Sequence, residues 1–171
     1  EETEEEFSSR LAKELEELIA LEPVDSIAAF FAEPISFSAG FKTPPDSYFP
    51  AIKNVLDTHG IEFVADEVVT GVGRTGSFWG CDSLDLSPDN VTMGKGITGG
   101  YFPMSAIAVG ERLYEYLEIG SDKIGTLAHA GTFAAHPVGA AAGIKALEII
   151  ERNNLVAHGR EMGQRLKDGL T

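Results

Sequence analysis

Ile61-Glu62-Phe63-Val64-Ala65-Asp66-Glu67 leads into the glycine-rich Gly71-Val72-Gly73-Arg74-Thr75-Gly76, and a second short apolar segment ends in Val91-Thr92-Met93-Gly94-Lys95. Ile61 to Ala65 is short and nearly all apolar, the pattern of a strand buried on both faces of a parallel sheet. Asn90 to Met93 reads as the next strand. A carboxylate closes the first, and a lysine follows the second. Ligands of open parallel sheets bind beyond the carboxyl ends of the strands. These two strand ends therefore offer a site to a molecule that needs both an anion and an amine.

Upstream, Ile27-Ala28-Ala29-Phe30-Phe31-Ala32 reads as another buried strand, bounded by Glu33-Pro34. Ile35 to Thr43 has turn residues and no period, so it is expected to be a loop. Pro44-Pro45-Asp46 then starts a helix with Tyr48, Phe49, Ile52, Val55 and Leu56 on its buried face, and Gly60 ends it. Strand, helix and strand make a βαβ crossover. At the start of the chain, Thr3-Glu4-Glu5-Glu6 has capping-box spacing. Phe7, Leu11, Leu15, Leu18 and Ile19 recur at helical period, predicting an amphipathic helix over 4–21.

Downstream, Ser105 to Val109 is the expected fourth strand. A short helix from Glu111 to Leu117 and a polar loop from Gly120 to Gly131 follow. Pro137 sits at a helix start, where its missing donor costs nothing. The small residues Ala140-Ala141-Ala142 in the helix from Val138 to Glu151 permit close packing against the sheet or against another subunit. A last helix begins near Leu155. The fold class is α/β, a three-layer sandwich around a mostly parallel sheet.

Composition narrows the function. Of 171 residues, 43% are apolar and 23% charged, which suits a globular chain with a real core. No apolar run reaches the roughly 20 residues of a membrane span. The net charge of −14 argues against nucleic acid, whose phosphates need basic patches. Half of that charge is local: residues 1–22 hold nine Glu against Arg10 and Lys13, read as a solvated helix face. A single cysteine, Cys81, rules out an internal disulfide and fits a reducing cytoplasm, and the opening run Glu1 to Glu6 does not read as a signal peptide. The absence of an initiator Met leads us to expect a piece of a longer protein.

Gly71 to Gly76 matches the G-x-G-x-x-G string, but a dinucleotide site needs a helix opening directly on the glycines. Ser77-Phe78-Trp79-Gly80 follows instead, so a structured loop is expected. Asp66 is costly to bury unless it meets a cation. It is either a ligand-binding group or the partner of a cap or of Arg74, and Glu67 is an equal candidate for the functional acid. Gly94 and Gly96 strip side-chain bulk from around Lys95 and let another molecule approach the amine. His59, His129, His136 and His158 lack metal-ligand spacing, so no metal site is expected. Cys81 reads as a small hydrophobe rather than a nucleophile. A lysine amine and a carboxylate at neighbouring strand ends suit pyridoxal 5'-phosphate. The amine holds its aldehyde carbon, and the carboxylate keeps the pyridine nitrogen protonated so that the ring acts as an electron sink.

With Ala32-Glu33-Pro34-Ile35, Val64 to Gly71, Gly73 to Gly76, Gly94-Lys95-Gly96, Gly131-Thr132 and His136-Pro137 in this order, the chain resembles the class III pyridoxal-phosphate aminotransferases of fold type I. The resemblance implies that residues 1–152 are part of the cofactor-binding large domain, and that 153–171 begin the helix leading to a smaller C-terminal domain. It implies that Lys95 forms the Schiff base and then moves the substrate proton, that Asp66 pairs with the pyridine nitrogen and that Val68 packs on the ring face. Thr132 would bind the cofactor phosphate of a neighbouring subunit, making a homodimer with a composite active site, and Glu33 would play a supporting role. Many relatives that use 2-oxoglutarate carry Gln where Val69 stands. Val69, Phe78-Trp79-Gly80-Cys81 and Tyr101 to Ala106 resemble the ω-amino acid–pyruvate group.

The implied reaction moves an amino group from an ω-amino acid or amine to a 2-oxo acid, with pyruvate as acceptor. Decarboxylating transamination, aminomutase or racemase chemistry within the same class, and a non-catalytic truncated domain acting only in dimerisation, are the alternatives. Family members are more than twice this length, so the chain alone is expected to be inactive.

Overall fold

The structure is a computed structural model, and it describes residues 2–171. Four strands form one sheet in the order β1 (Ala29–Ala32), β2 (Glu62–Asp66), β3 (Asn90–Met93) and β4 (Ala106–Ala108). The first three run parallel, and β4 returns antiparallel to β3. The sheet is therefore mostly parallel, as expected.

The first helix, α1 (Glu4–Leu21), opens on the capping box: Glu6 N donates to Thr3 Oγ1 at 3.2 Å, and Thr3 N donates to Glu6 Oε2 at 2.8 Å. Its Ser8 is buried, donating to Glu4 O and meeting Ser47 Oγ at 2.8 Å, which ties α1 to the start of α2 (Tyr48–His59). Leu18 lies off the packed stripe and is exposed, while Ala12, Leu15 and Ile19 meet the core. The second helix ends where Gly60 adopts φ 64°, a left-handed conformation that glycine takes without a Cβ penalty.

Register explains the core. Phe30 pairs with Phe63 and Ala32 with Ala65, so these residues share one face of the sheet. That face meets Phe49, Ile52 and Leu56 of α2 with α1 alongside. Phe31, Val64, Asn90 and Ile107 alternate onto the other face, where Phe31 is 66% and Ile107 57% exposed. There α3 (Glu111–Ile124) brings Leu113 and Tyr116 to the rim of a concavity of about 890 Å³, which the ends of α1 (Ile19, Ala20) and α2 (His59) also line. Within the described residues the helical layer is therefore complete on one side of the sheet alone.

One expectation needs correction. The helix after β4 does not stop at Leu117 but runs to Ile124, so Gly120 is helical and the loop begins later, after Gly125. Gly120 sits where a Cβ would meet nothing within 4 Å, so its cost is propensity alone. Within the chain, the helix α4 (Pro137–Arg152) makes its close approach through the buried Gly139 and Gly143, while Ala140 and Ala141 are exposed. A Cβ at Gly143 would lie 2.8 Å from Met104 Cε, and one at Gly139 would lie 2.7 Å from Phe102 Cδ1. The segment following Lys95 is thus what α4 packs on.

The last helix, α5 (Leu155–Leu170), has no buried residue, matching its sparse apolar positions. It is held by the glycine loop. Arg160 Nε donates to Gly76 O at 2.8 Å, and a Cβ at Gly76 would come within 2.9 Å of Arg160 Cβ. Among the described residues, no helix is long and apolar enough to cross a membrane.

Candidate functional site

Alternation along β2 sends Asp66 and Glu67 to opposite faces, and the structure separates their roles. Glu67 is fully buried on the core side. Thr70 Oγ1 donates to its Oε2 at 2.5 Å, Gly80 N to the same oxygen at 2.9 Å, and Cys81 N to Oε1 at 2.7 Å. With its carboxylate so engaged, Glu67 faces away from any ligand at the strand ends. Burial, with the Glu67 carboxylate beside it, pushes the Cys81 thiol well above the ordinary thiol range, which suits a packed residue and not a nucleophile.

Asp66 points to the open face and is half-buried. Val68 N donates to its Oδ1 at 3.0 Å, and Thr92 Oγ1 lies 3.4 Å from the same oxygen. Both partners use Oδ1, so Oδ2 has no protein donor among the described residues. Arg74 does not pair with Asp66. Its Nη2 donates to Val68 O at 2.8 Å.

Lys95 leaves the end of β3 through Gly94, enters a short 3-10 turn (Lys95–Thr98) and is exposed. Its φ of 40° is left-handed, a conformation that costs a non-glycine residue about 1 kcal/mol or more and clusters at functional sites. Asp66 pairs with Thr92 in the β2–β3 register, three residues before Lys95, so the carboxylate and the amine stem from adjacent strand ends. Val68 packs beside them, its methyls 3.7 Å from where a Gly94 Cβ would lie.

Gly96 also has an internal reason to be bare: a Cβ there would lie 2.9 Å from Val72 Cβ and 3.5 Å from Arg74 Nη2. Its bareness serves internal packing of the glycine loop under the Lys95 turn. The loop itself is the structured connection that was expected. Ser77 and Phe78 follow the glycines without a helix, and before β3 the connection holds one 3-10 turn, Cys81–Leu84. Sequence reasoning gave Thr92 and Val72 no part at this site, and it placed Arg74 there only as an alternative partner of Asp66, whereas Arg74 holds Val68 O.

Thr132 lies elsewhere in the same chain. It is exposed in the loop before α4 and lines a concavity of about 700 Å³ with Phe102, Met104, His129 and His136. The residues lining that concavity include neither Asp66 nor Lys95. Glu33, after β1, accepts from Phe37 N at 3.0 Å and holds its own loop. Among the described residues, no group of three or more His, Cys, Asp or Glu side chains is placed to hold a metal.

Comparison with known proteins places this geometry. The sequence model of the class-III aminotransferases matches residues 1–171. An uncharacterised aminotransferase of Sinorhizobium fredii is 46% identical over 162 residues, covering 95% of this chain and 35% of its own length. The diaminobutyrate–2-oxoglutarate transaminase of Halomonas elongata is 42% identical over 166 residues, covering 97% of this chain and 35% of its own. Among solved structures, the omega transaminase of Pseudomonas jessenii in complex with PMP superposes with a TM-score of 0.95 at 38% identity, over 99% of this chain and 37% of that one. The chain therefore spans about a third of the length of the curated relatives it matches.

Proposed function

This chain belongs to the class-III aminotransferases, and on that premise we propose that the protein carrying it is a pyridoxal-phosphate-dependent transaminase. Its reaction moves an amino group from an ω-amino acid or amine to a 2-oxo acid, with pyruvate as acceptor. One observation carries the reading: at adjacent parallel strand ends, Asp66 keeps Oδ2 without a protein donor while Lys95 presents an exposed amine.

The residues present fit pyridoxal phosphate by the chemistry of their donors. Asp66 Oδ2 would accept from the protonated ring nitrogen, while Val68 N and Thr92 orient the carboxylate. Val68 would lie against the ring, and Lys95 Nζ would hold the aldehyde carbon. When bound, the cofactor supplies an electron sink for the bond broken at the substrate carbon. Once the substrate amine has displaced it from the aldehyde carbon, Lys95 Nζ would be free to take the proton from the substrate carbon and to donate it at the carbon that had carried the lysine.

Two further parts of the reading rest on placement. Thr132, exposed and apart from Asp66 and Lys95, would bind the cofactor phosphate of a second subunit, making the functional unit a homodimer with shared sites. Residues 1–152 would belong to the cofactor-binding large domain, and 153–171 would open the helix that continues toward a smaller domain. The aliphatic Val69, in place of a side chain able to reach the ring hydroxyl, supports pyruvate as acceptor.

The test is direct. Full-length protein mixed with pyridoxal phosphate is expected to develop a visible band that borohydride bleaches, with the reduced adduct mapping to Lys95 by peptide mass spectrometry. A full-length protein that binds no cofactor at Lys95 overturns the reading. Acceptor preference follows from parallel assays with pyruvate and 2-oxoglutarate.

A further inference from the structure

Glu67 is fully buried, and no lysine, arginine or histidine pairs with it among the described residues. A carboxylate so placed is costly unless donors surround it. Three do, and all belong to the segment from Thr70 to Cys81. That segment in turn underlies the Lys95 turn. Val72, buried and held at φ 60°, presents its Cβ where a Gly96 Cβ would be 2.9 Å away, and Arg74 donates to Val68 O. A β-branched residue at positive φ is a strained outlier that persists only where its surroundings over-determine it.

We propose that Glu67 is a positioning residue for Lys95: its carboxylate closes the 67–81 loop into a seat, through Val72 on Gly96, that sets where the Lys95 amine points. The chain of contacts is continuous. Glu67 Oε1 and Oε2 hold the Gly80–Cys81 end, and Gly71 N donates to Glu67 O at 2.8 Å at the near end. Between these anchors Gly73 N donates to Phe78 O at 3.1 Å, which closes the loop on itself. Releasing the far end loosens Val72, and the left-handed Lys95 backbone loses the neighbour beneath it. What the amine is used for rests on the pyridoxal phosphate reading above, whereas the seat stands without it.

The experiment compares wild type, Glu67→Gln, Val72→Ala and Leu56→Ala in the full-length protein. Leu56→Ala is a core control, expected to lower Tm without touching the loop. The cofactor-free readout is reductive methylation with formaldehyde across a pH series, quantified lysine by lysine by peptide mass spectrometry. Glu67→Gln and Val72→Ala are expected to change the Lys95 labelling profile, with Lys13 and Lys145 unchanged and the Leu56→Ala profile like wild type. In loaded protein the same two variants are expected to lose roughly ten- to a hundredfold in kcat with KM near wild type, the signature of a misplaced group.

A Lys95 profile unchanged in both loop variants overturns the inference, as does an equal change in Leu56→Ala. If Glu67→Gln fails to fold, Val72→Ala alone decides. A protein that binds no pyridoxal phosphate yet shows the Lys95 change in both variants overturns the cofactor reading and supports this one.

Discussion

Asp66 and Thr92 meet across β2 and β3, the threonine hydroxyl lying 3.4 Å from Asp66 Oδ1. That is longer than the usual O–H···O distance, so Thr92 steers the carboxylate more than it neutralises it. The stronger tether is Val68 N at 3.0 Å, from the residue two positions on. Asp66 is thereby oriented by its own strand end and left with an oxygen to give to a ligand.

Asp66→Asn keeps the shape but removes the negative charge from that oxygen. A hydrogen bond to a charged group contributes about 1.5–3 kcal/mol, so cofactor affinity or turnover is expected to fall by roughly ten- to a hundredfold or more. Thr92→Val, which removes only the weak contact, is expected to cost less than about tenfold. Equilibrium titration with pyridoxal phosphate in full-length protein checks the order. Equal losses would contradict the division of labour between Val68 N and Thr92.

Lys95→Ala is expected to abolish the borohydride-trapped adduct and lower turnover by at least about 10²–10⁴-fold, the usual contribution of a positioned proton-transfer group. Because Lys95 holds φ 40°, the alanine variant keeps the strain, whereas Lys95→Gly relieves it. Lys95→Gly is therefore expected to be the more stable of the two by about 0.5–1 kcal/mol in urea unfolding, the reverse of the usual helix or strand ranking.

Alkaline stability depends on Cys81. Burial and the neighbouring Glu67 carboxylate raise its pKa in the folded protein. Below the unfolded thiol's pKa of about 8.5 both states keep the proton and the residue contributes no pH dependence. Above it the unfolded chain ionises and the folded one does not, so stability falls with rising pH by up to about 1.4 kcal/mol per unit. Cys81→Ala is expected to flatten the decline between about pH 9 and 10 in denaturant titrations. An unchanged slope would show that Cys81 titrates normally in the fold.

Two glycine substitutions in or against α5 are expected to act with opposite signs. At Gly76, φ is 87° and a Cβ would press to 2.9 Å from Arg160, so Gly76→Ala is expected to cost about 1–3 kcal/mol. Gly163 lies inside α5 with nothing within 4 Å of a built Cβ, so Gly163→Ala is expected to stabilise by about 0.5–1 kcal/mol. Thermal unfolding of both variants beside wild type reads the difference.

The parallel strands and α2 were legible because their signals are local. Phe49, Ile52, Val55 and Leu56 fall at helical spacing, and all four are buried. Gly60 ends the helix at the expected place. Direction was harder to read. Period-two alternation shows that Asp66 and Glu67 point oppositely, but only the packing of Cys81 and Gly80 against Glu67 shows which face each one takes. The length of α3 was missed because Gly120 reads as a stop, and exposure let the helix run through it. The function of Gly96 was hidden because its partner, Val72, is 24 residues away in sequence and adjacent only once the loop folds back.

The Glu67 clasp also limits how this region can vary. A Cβ at Gly80 would lie 2.5 Å from Thr70 Cβ and 3.0 Å from Glu67 Oε2, and one at Gly71 would lie 2.8 Å from Glu67 O. Positions 67, 70, 71 and 80 are thus epistatically locked. A library that randomises any one of them alone should return mainly the parent residue, and new combinations become reachable only when the four are diversified together.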